Sequence, residues 1–255
     1  MKSDSLIEAL DLPADSRVDQ RVPKKLLLEN GAPATADKRL INDGIEEMLW
    51  LAALKPTTIG VPEYRDDVRE YLEIAVLRLT LRAAAKTARL VELVHRAVPY
   101  PLLLLTEQAE HAVRSDLSAA HKRWSQGESG KMVLDGDLVV AEWDAEQDGE
   151  RWPAFRDTLA LGKQPRTTLH ALYQGWIDTL LALQAARVTG AFALAASAEH
   201  AALRRNALQE CARFDAEIAR LRATAAKEKQ MSRRVELNLE LKRVEAAQAA
   251  ARANL

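Results

Sequence analysis

The chain has 255 residues, of which 48% are hydrophobic and 29% are charged, and its net charge at pH 7 is −1. This composition is ordinary for a soluble protein that buries a core, in one large domain or in one domain with a helical appendage. A net charge this close to zero excludes a global basic field that would attract nucleic acid.

The first part of the chain alternates between strand and helix patterns. Val22 to Leu28 predicts a strand, and Asn30-Gly31 marks a turn. Ala36 to Leu54 predicts a helix, because its apolar residues recur at helical spacing. Lys55-Pro56 ends that helix, since a residue before proline avoids the helical region. A short β-branched stretch follows from Thr57 to Val61.

The clearest strand pattern lies in the middle of this region. Tyr71 to Arg82 contains alternating apolar residues that change phase, which predicts a central strand buried on both faces. Ala84 to Val98 predicts a helix, and the leucine run from Leu102 to Thr106 predicts another buried strand.

Beyond this point the pattern becomes antiparallel. His111 to Arg123 predicts an edge strand, and Gly127 to Gly130 marks a loop. Met132 to Val140 contains Asp135-Gly136, a pair that is preferred in two-residue hairpin turns. We therefore predict an α+β fold that begins with a mixed sheet domain with flanking helices over residues 1–150.

Helices are predicted for the remainder of the chain. Residues 151–190 form connecting helices, the longer of which begins with Thr167 or Thr168 as its N-cap. Val188-Thr189-Gly190 predicts a break after it. Residues 191–255 contain no glycine and no proline, which favours a coiled coil or helical hairpin.

An apolar seam runs along these terminal helices. Its spacing loses phase between Lys227 and Arg234, as expected at a bend or a register shift. The pattern is typical of a surface that packs on another helix, either within the chain or between two chains, and it predicts a homo-oligomer or a protein partner. The residues that we assign to this seam are Cys211, Phe214, Ile218, Leu221, Leu237, Leu241 and Val244.

The chain also carries signals of its compartment. Cys211 is the single cysteine, so an intrachain disulfide is impossible and a reducing compartment is expected. The start of the chain lacks the basic-then-apolar order of a signal peptide. No apolar run approaches the roughly 20 residues that cross a bilayer. These features predict a cytoplasmic protein without a membrane segment.

Motifs for catalysis, metals and cofactors are missing from the sequence. It contains no phosphate-binding glycine loop, no nucleophile elbow and no dinucleotide fingerprint, so we predict no cofactor and no catalytic residue. No histidine pair has the spacing of a metal site with a carboxylate, so we predict no metal. The five histidines are scattered, at His95, His111, His121, His170 and His200.

One enzymatic alternative rests on the order of elements from Ala36 to Thr106. Helix, strand, strand, helix, strand resembles the core of restriction-type nucleases, which hold Mg²⁺ with carboxylates and a lysine. Here Glu73 is followed by Ala75, so the lysine is missing. A divergent magnesium-dependent nuclease would draw its carboxylates from Glu46 or Glu47, Asp66 or Asp67, and Glu73.

Two basic clusters are candidate nucleic-acid contacts. Lys122 and Arg123 lie in a His-Lys-Arg-Trp sequence, which combines phosphate-binding and base-stacking groups. The stronger cluster lies at the predicted bend, where a helical hairpin would expose its charges at a tip. Its members are Lys227, Lys229, Arg233 and Arg234. From residue 199 onward twelve Lys/Arg face eight Asp/Glu, which makes this region net positive.

Several stretches together resemble an uncharacterised bacterial family, a domain of unknown function. They include Val22-Pro23-Lys24-Lys25, Val98-Pro99-Tyr100-Pro101 and the terminal blocks Glu228-Lys229-Gln230-Met231 and Arg234-Val235-Glu236-Leu237-Asn238. The resemblance implies an association with Swi/Snf-type helicases and adenine-specific DNA methyltransferases in restriction-like, phage-defence loci. It implies no catalytic residues.

We therefore expect a non-catalytic adaptor of a bacterial anti-phage defence complex. Its sheet domain would bind a helicase or methyltransferase, and its terminal helices would self-associate. A DNA-binding module acting through the basic bend is a further alternative.

Overall fold

A computed structural model describes residues 4–30, 34–109 and 114–255. Helices of this part are α1 (Asp4–Ala9), α2 (Lys24–Asn30), α3 (Thr35–Gly44), α4 (Pro56–Ile59), α5 (Thr87–Ala97), α6 (Asp148–Arg151), α7 (Pro153–Leu159), α8 (Leu169–Thr189), α9 (Ala198–Lys227) and α10 (Met231–Arg252). The strands are β1 (Arg17–Arg21), β2 (Ile45–Leu54), β3 (Tyr64–Arg65), β4 (Glu70–Tyr71), β5 (Ile74–Leu81), β6 (Leu102–Gln108), β7 (Arg114–Trp124) and β8 (Met132–Asp144).

Six strands form one mixed sheet in the order β1-β2-β5-β6-β7-β8. Only β5 and β6 are parallel within it, and α5 makes the crossover between them. The short strands β3 and β4 form a separate two-stranded ribbon. The predicted α+β class, with a mixed sheet followed by a helical region, is confirmed.

The central strands are buried on both faces, as the sequence predicts. One face of β2, β5 and β6 packs in a core with residues of α2, α3 and α5. Helix α8 crosses the other face, where the hydroxyl of Tyr173 donates to the carbonyl of Leu102 (2.7 Å) and accepts from the amide of Ala120 (3.0 Å). These two bonds fix the first turns of α8 on β6 and β7.

Two elements near the start of the chain differ from the prediction. The leucine run predicted as a strand forms α2, in which Leu27 is buried and Leu26 is exposed. A short apolar run fits either element, and here its helical face packs into the core. The long helix predicted over 36–54 ends at Gly44 and continues as β2. A Cβ at Gly44 would lie 2.7 Å from Cδ1 of Leu90, so glycine permits this close approach to α5.

Two more differences concern the last strands. The predicted edge strand is internal, because β7 pairs with both β6 and β8; its predicted start at 111–113 lies outside the described residues. Asp135-Gly136 is not a hairpin turn but lies within β8. The pairing register shifts opposite Ala119 and His121, and Gly136 has a φ of 81°, so the pair forms a bulge.

The chain folds into two compact units, Met1–Leu180 and Leu181–Leu255. The second contains a helical hairpin, since α9 and α10 pack together and only residues 228–230 separate them. The pairing is antiparallel, because Arg222 donates to Glu245 (2.7 Å) and Gln248 donates to Asp215 (2.5 Å). No helix among the described residues has both the length and the apolarity of a membrane span.

Candidate functional site

Four elements of the first unit bring a cluster of tyrosine and histidine rings together. His170, at the start of α8, stacks on His121 of β7 with ring centroids 4.9 Å apart and 21° between the planes. Its other neighbour is Tyr64 of β3, at 4.8 Å and 31°. Tyr71 of β4 meets the edge of this stack, with its ring 5.0 Å from His170 and nearly perpendicular. We call the stack Tyr64–His170–His121 the ring column.

A chain of hydrogen bonds fixes the inner ring of the column. Nδ1 of His121 lies 2.5 Å from the hydroxyl of Tyr71, and Nε2 lies 2.7 Å from Oε1 of Gln174. The amide nitrogen of Gln174 in turn donates to Asp178 (2.8 Å). Burial raises the pKa of Tyr71, which keeps its hydroxyl protonated and able to donate to Nδ1 of His121. Gln174 then requires the neutral tautomer of His121 that carries its proton on Nε2.

His170 differs from His121 because no residue of the described chain forms a hydrogen bond to its ring nitrogens. Burial and the nearby Arg69 guanidinium lower the pKa of His170, against a smaller opposing effect of Asp66 and Asp135. The position of His170 in the first turn of α8 also disfavours a positive charge, because the helix dipole is positive there. His170 is therefore a half-buried, neutral imidazole at pH 7 with one donor and one acceptor atom available.

Charged groups beside the column neutralise one another. Arg69 donates to Asp135 (2.9 Å from Nε), and Arg123 lies 3.6 Å from the same carboxylate. The hydroxyl of Tyr64 donates to Asp66 (2.6 Å), which raises the pKa of Tyr64. Asp66 also accepts the amides of its own turn, and this arrangement positions the β3–β4 ribbon. The column is thus an uncharged aromatic surface with a balanced polar margin.

Sequence reasoning did not find this site. It considered His121 as part of a basic sequence and His170 as one of five scattered histidines, and it did not single out Tyr64. The three lie far apart along the chain, and β3 is too short to show a strand pattern. One signal was available in the sequence: His170 and Tyr173 lie close to the predicted start of α8. Thr168 is the N-cap of that helix, since its hydroxyl accepts from the amide of Ala171 (3.1 Å).

Lys122 is removed from the predicted nucleic-acid contacts, because its side chain is 1% exposed. Its ammonium donates to the carbonyl of His95 (2.6 Å) and to that of Val98, at the C-terminal end of α5. Burial lowers its pKa to about 7. Arg123 is half-buried and paired with Asp135, so it belongs to the margin of the ring column.

The carboxylates of the predicted nuclease site do not converge. Glu47 lies opposite Thr80 near one end of β5, whereas Glu73 precedes the other end of that strand and pairs with Lys55 at 3.2 Å. Asp66 is bonded within its own turn. Among the described residues, no group of three or more His, Cys, Asp or Glu side chains is placed to hold a metal ion.

Seam residues lie where the two helices of the hairpin meet. Cys211, Ile218, Leu221 and Leu237 are buried, and the other predicted members are half-buried: Phe214, Leu241 and Val244. Burial raises the pKa of the Cys211 thiol, which keeps it protonated and unreactive.

The outer surface of the hairpin carries two further features. All four basic residues of the bend are exposed near the tip: Lys227, Lys229, Arg233 and Arg234. On α10, Met231, Val235 and Leu239 follow one another at intervals of one turn, and they are 64%, 54% and 54% exposed. We call these three residues the α10 apolar row.

Comparisons with known proteins bear on the whole chain. A search of curated proteins and a search of solved structures each found no match. The family model described as Domain of unknown function (DUF4391) matches residues 10–247, which include the sheet, the ring column and most of the hairpin. The chain therefore belongs to the DUF4391 family.

Proposed function

We propose that this protein is a cytoplasmic, non-catalytic adaptor in a bacterial anti-phage defence complex, and that its partner is the helicase or DNA methyltransferase of the same locus. The observation that carries this proposal is the α10 apolar row. Large apolar side chains that are more than half exposed in a row along a helix are typical of a protein-binding surface.

We propose the outside of the hairpin, and not its seam, as the partner contact. Ile218 and Leu221 are already covered, so they have little further area to offer a partner. Val235 and Leu239 are exposed, and full burial of such side chains contributes roughly 1.5–3 kcal/mol each. The guanidinium of Arg234 lies 2.8 Å from Sδ of Met231, beside the row, so the proposal requires a partner with an apolar groove and an acidic rim.

Replacement of Val235 and Leu239 by glutamate tests the adaptor role. We expect the native chain, recovered from its host by affinity purification, to bring the helicase or methyltransferase with it in mass spectrometry, and the double variant to lose that partner. Light scattering of the purified chain measures self-association in parallel. Leu203→Glu is the matched control, because Leu203 is an equally exposed leucine (58%) on α9.

Two outcomes would contradict the adaptor role. One is a native chain that is monomeric and brings neither protein with it. The other is a double variant that retains the partner as well as Leu203→Glu does.

A second candidate function is DNA binding by the tip of the hairpin. It is favoured by the joint exposure of the four basic residues there. Binding through phosphate contacts would weaken steeply with salt, with a log–log slope of about −0.9 for each phosphate neutralised. We expect replacement of Lys227, Lys229, Arg233 and Arg234 by glutamine to flatten that slope in a fluorescence-anisotropy titration. An unchanged slope would exclude the tip as the DNA contact.

A further inference from the structure

The sheet unit contains a small apolar cavity on the face of the sheet that packs on α5. Residues of α2, β2, β5 and the end of α5 line it, and its volume is about 120 Å³. Its inner wall includes the buried side chains of Leu27, Met48 and Leu77. Leu26 and Tyr100 also line it and are 48% and 37% exposed, so the cavity opens to the surface beside them.

The lining of this cavity suits an apolar guest. None of the described residues that line it carries a charge. The indole nitrogen of Trp50 donates to the carbonyl of Ala52 (2.8 Å), so Trp50 contributes its ring and not a free N–H. The other polar side chains of the lining are those of Asn30 and Tyr100, which are exposed and so mark the mouth. A buried water needs two to four polar partners, so the interior favours an apolar group over water.

Hydrogen bonds from two lysines hold the walls of the cavity in place. The ammonium of Lys24, in the first turn of α2, donates to the carbonyls of Asn42 (3.2 Å) and Ile45, which fixes α2 against the α3–β2 junction. The ammonium of Lys122 donates to the carbonyl of Val98, which fixes the segment that follows α5. The cavity is therefore formed before a ligand arrives, which lowers the cost of binding.

We propose that this cavity is a binding site for a small uncharged aromatic molecule of the size of benzene or phenol. An apolar cavity of about 150 Å³ holds one benzene molecule, whereas sites for larger ligands measure about 300–1,000 Å³. The volume of 120 Å³ thus admits a single ring and excludes a nucleotide or an organic cofactor. A charged group is excluded from the interior because no counter-charge lines it. A hydroxyl on the ring would lie at the mouth, beside Asn30 and Tyr100.

Methionine methyl signals in NMR spectra of the native full chain test the proposal without a variant. Met48 lines the cavity, whereas Met132 and Met231 do not. Titration with benzene or phenol should shift the Met48 signal through the ring current of the bound molecule. We expect the shift to saturate with a Kd of about 1 mM or tighter. The signals of Met132 and Met231 should stay in place, and benzoate, which carries a charge, should shift none of the three.

Partial filling of the cavity provides the second test. Ala97, the last residue of α5, lines the cavity, so Ala97→Leu would place a larger side chain there. We expect this variant to bind phenol about tenfold more weakly in calorimetric titration, as when roughly two carbon atoms lose their buried position. Ala88→Leu is the control, because Ala88 is an exposed residue of the same helix. Thermal unfolding of both variants shows that they are folded, and the Met48 signal of the native chain decides if Ala97→Leu is not.

Any of four results would overturn the proposal. The first three are a Met48 signal that neither benzene nor phenol moves at millimolar concentration, benzoate binding as tight as phenol binding, and equal phenol binding by folded Ala97→Leu and the native chain. The fourth is loss of the helicase or methyltransferase from Ala97→Leu without any binding of the small probes, which would assign the cavity to a side chain of that partner. The α10 variants that test the adaptor role leave the cavity lining intact, so the two tests fail independently.

Discussion

At the end of α5 the carbonyl oxygens of His95 and Val98 receive hydrogen bonds from one buried ammonium, that of Lys122. Carbonyls at a helix C-terminus have no partner within the helix, and the negative end of the dipole attracts a cation there. Lys122 thus holds α5 against β7. Burial removes water from the Lys122 ammonium, which disfavours its charged form. This loss of hydration outweighs the hydrogen bonds to the carbonyls, so the pKa of Lys122 falls from 10.5 to about 7.

Because the pKa of Lys122 is lowered, the free energy of unfolding depends on pH in the alkaline range. Between pH 7 and 10.5 Lys122 is more protonated in the unfolded chain than in the folded chain. The free energy of unfolding therefore rises with pH over this range. We expect a contribution of up to about 1.4 kcal/mol per pH unit, measured by urea denaturation from pH 7 to 9. Lys122→Met should remove this slope and, by leaving carbonyls unpaired, cost about 1–3 kcal/mol.

Lys131→Met serves as the control for this measurement, because Lys131 is exposed and lies in the loop after β7. It should keep the native slope. A native slope equal to that of Lys122→Met would show that Lys122 keeps its ordinary pKa in the folded chain.

At the scale of elements, the hairpin is held by its own seam. Ile218 and Leu221 are 6% and 1% exposed, so aspartate at both positions would place charges in an apolar interface. We expect loss of helicity in circular dichroism, since truncating buried apolar side chains alone costs roughly 2–5 kcal/mol each. The paired control is aspartate at Ala219 and Ala223, which are exposed neighbours on α9. Equal helicity in both double variants would refute the internal seam.

The sequence predicts the type of an element correctly where its apolar pattern is long, and wrongly where the pattern fits both a helix and a strand. Helices α5 and α8 and strand β5 have long runs whose spacing predicts a single kind of element. Residues 45–54 read as helix because their apolar spacing fits both periods, and pairing with β1 and β5 decides for a strand. Asp135-Gly136 has the residues of a turn, but the same positive φ also suits a bulge.

At the scale of the whole molecule, the sequence predicts the division between sheet and helices better than the candidate site. The hairpin follows from local features: no helix breaker, an apolar seam and a change of phase. The ring column depends on β7, α8 and the β3–β4 ribbon meeting in space, and no spacing along the chain encodes that meeting. Distant residues that converge on one site leave no local pattern in a single sequence.

The bend at residues 228–230 has a kinetic consequence. Contacts next to it join residues that are near neighbours along the chain, so closing the hairpin costs little loop entropy. Contacts in the sheet join residues that are farther apart along the chain. Pairing of β1 with β2, for example, brings Arg17 opposite Ala52. Low contact order favours rapid formation, and we expect the hairpin to open and close as its own cooperative unit. A protein bound to α10 would then be detectable as slower amide exchange in the hairpin, with the strands of the sheet exchanging at their former rate.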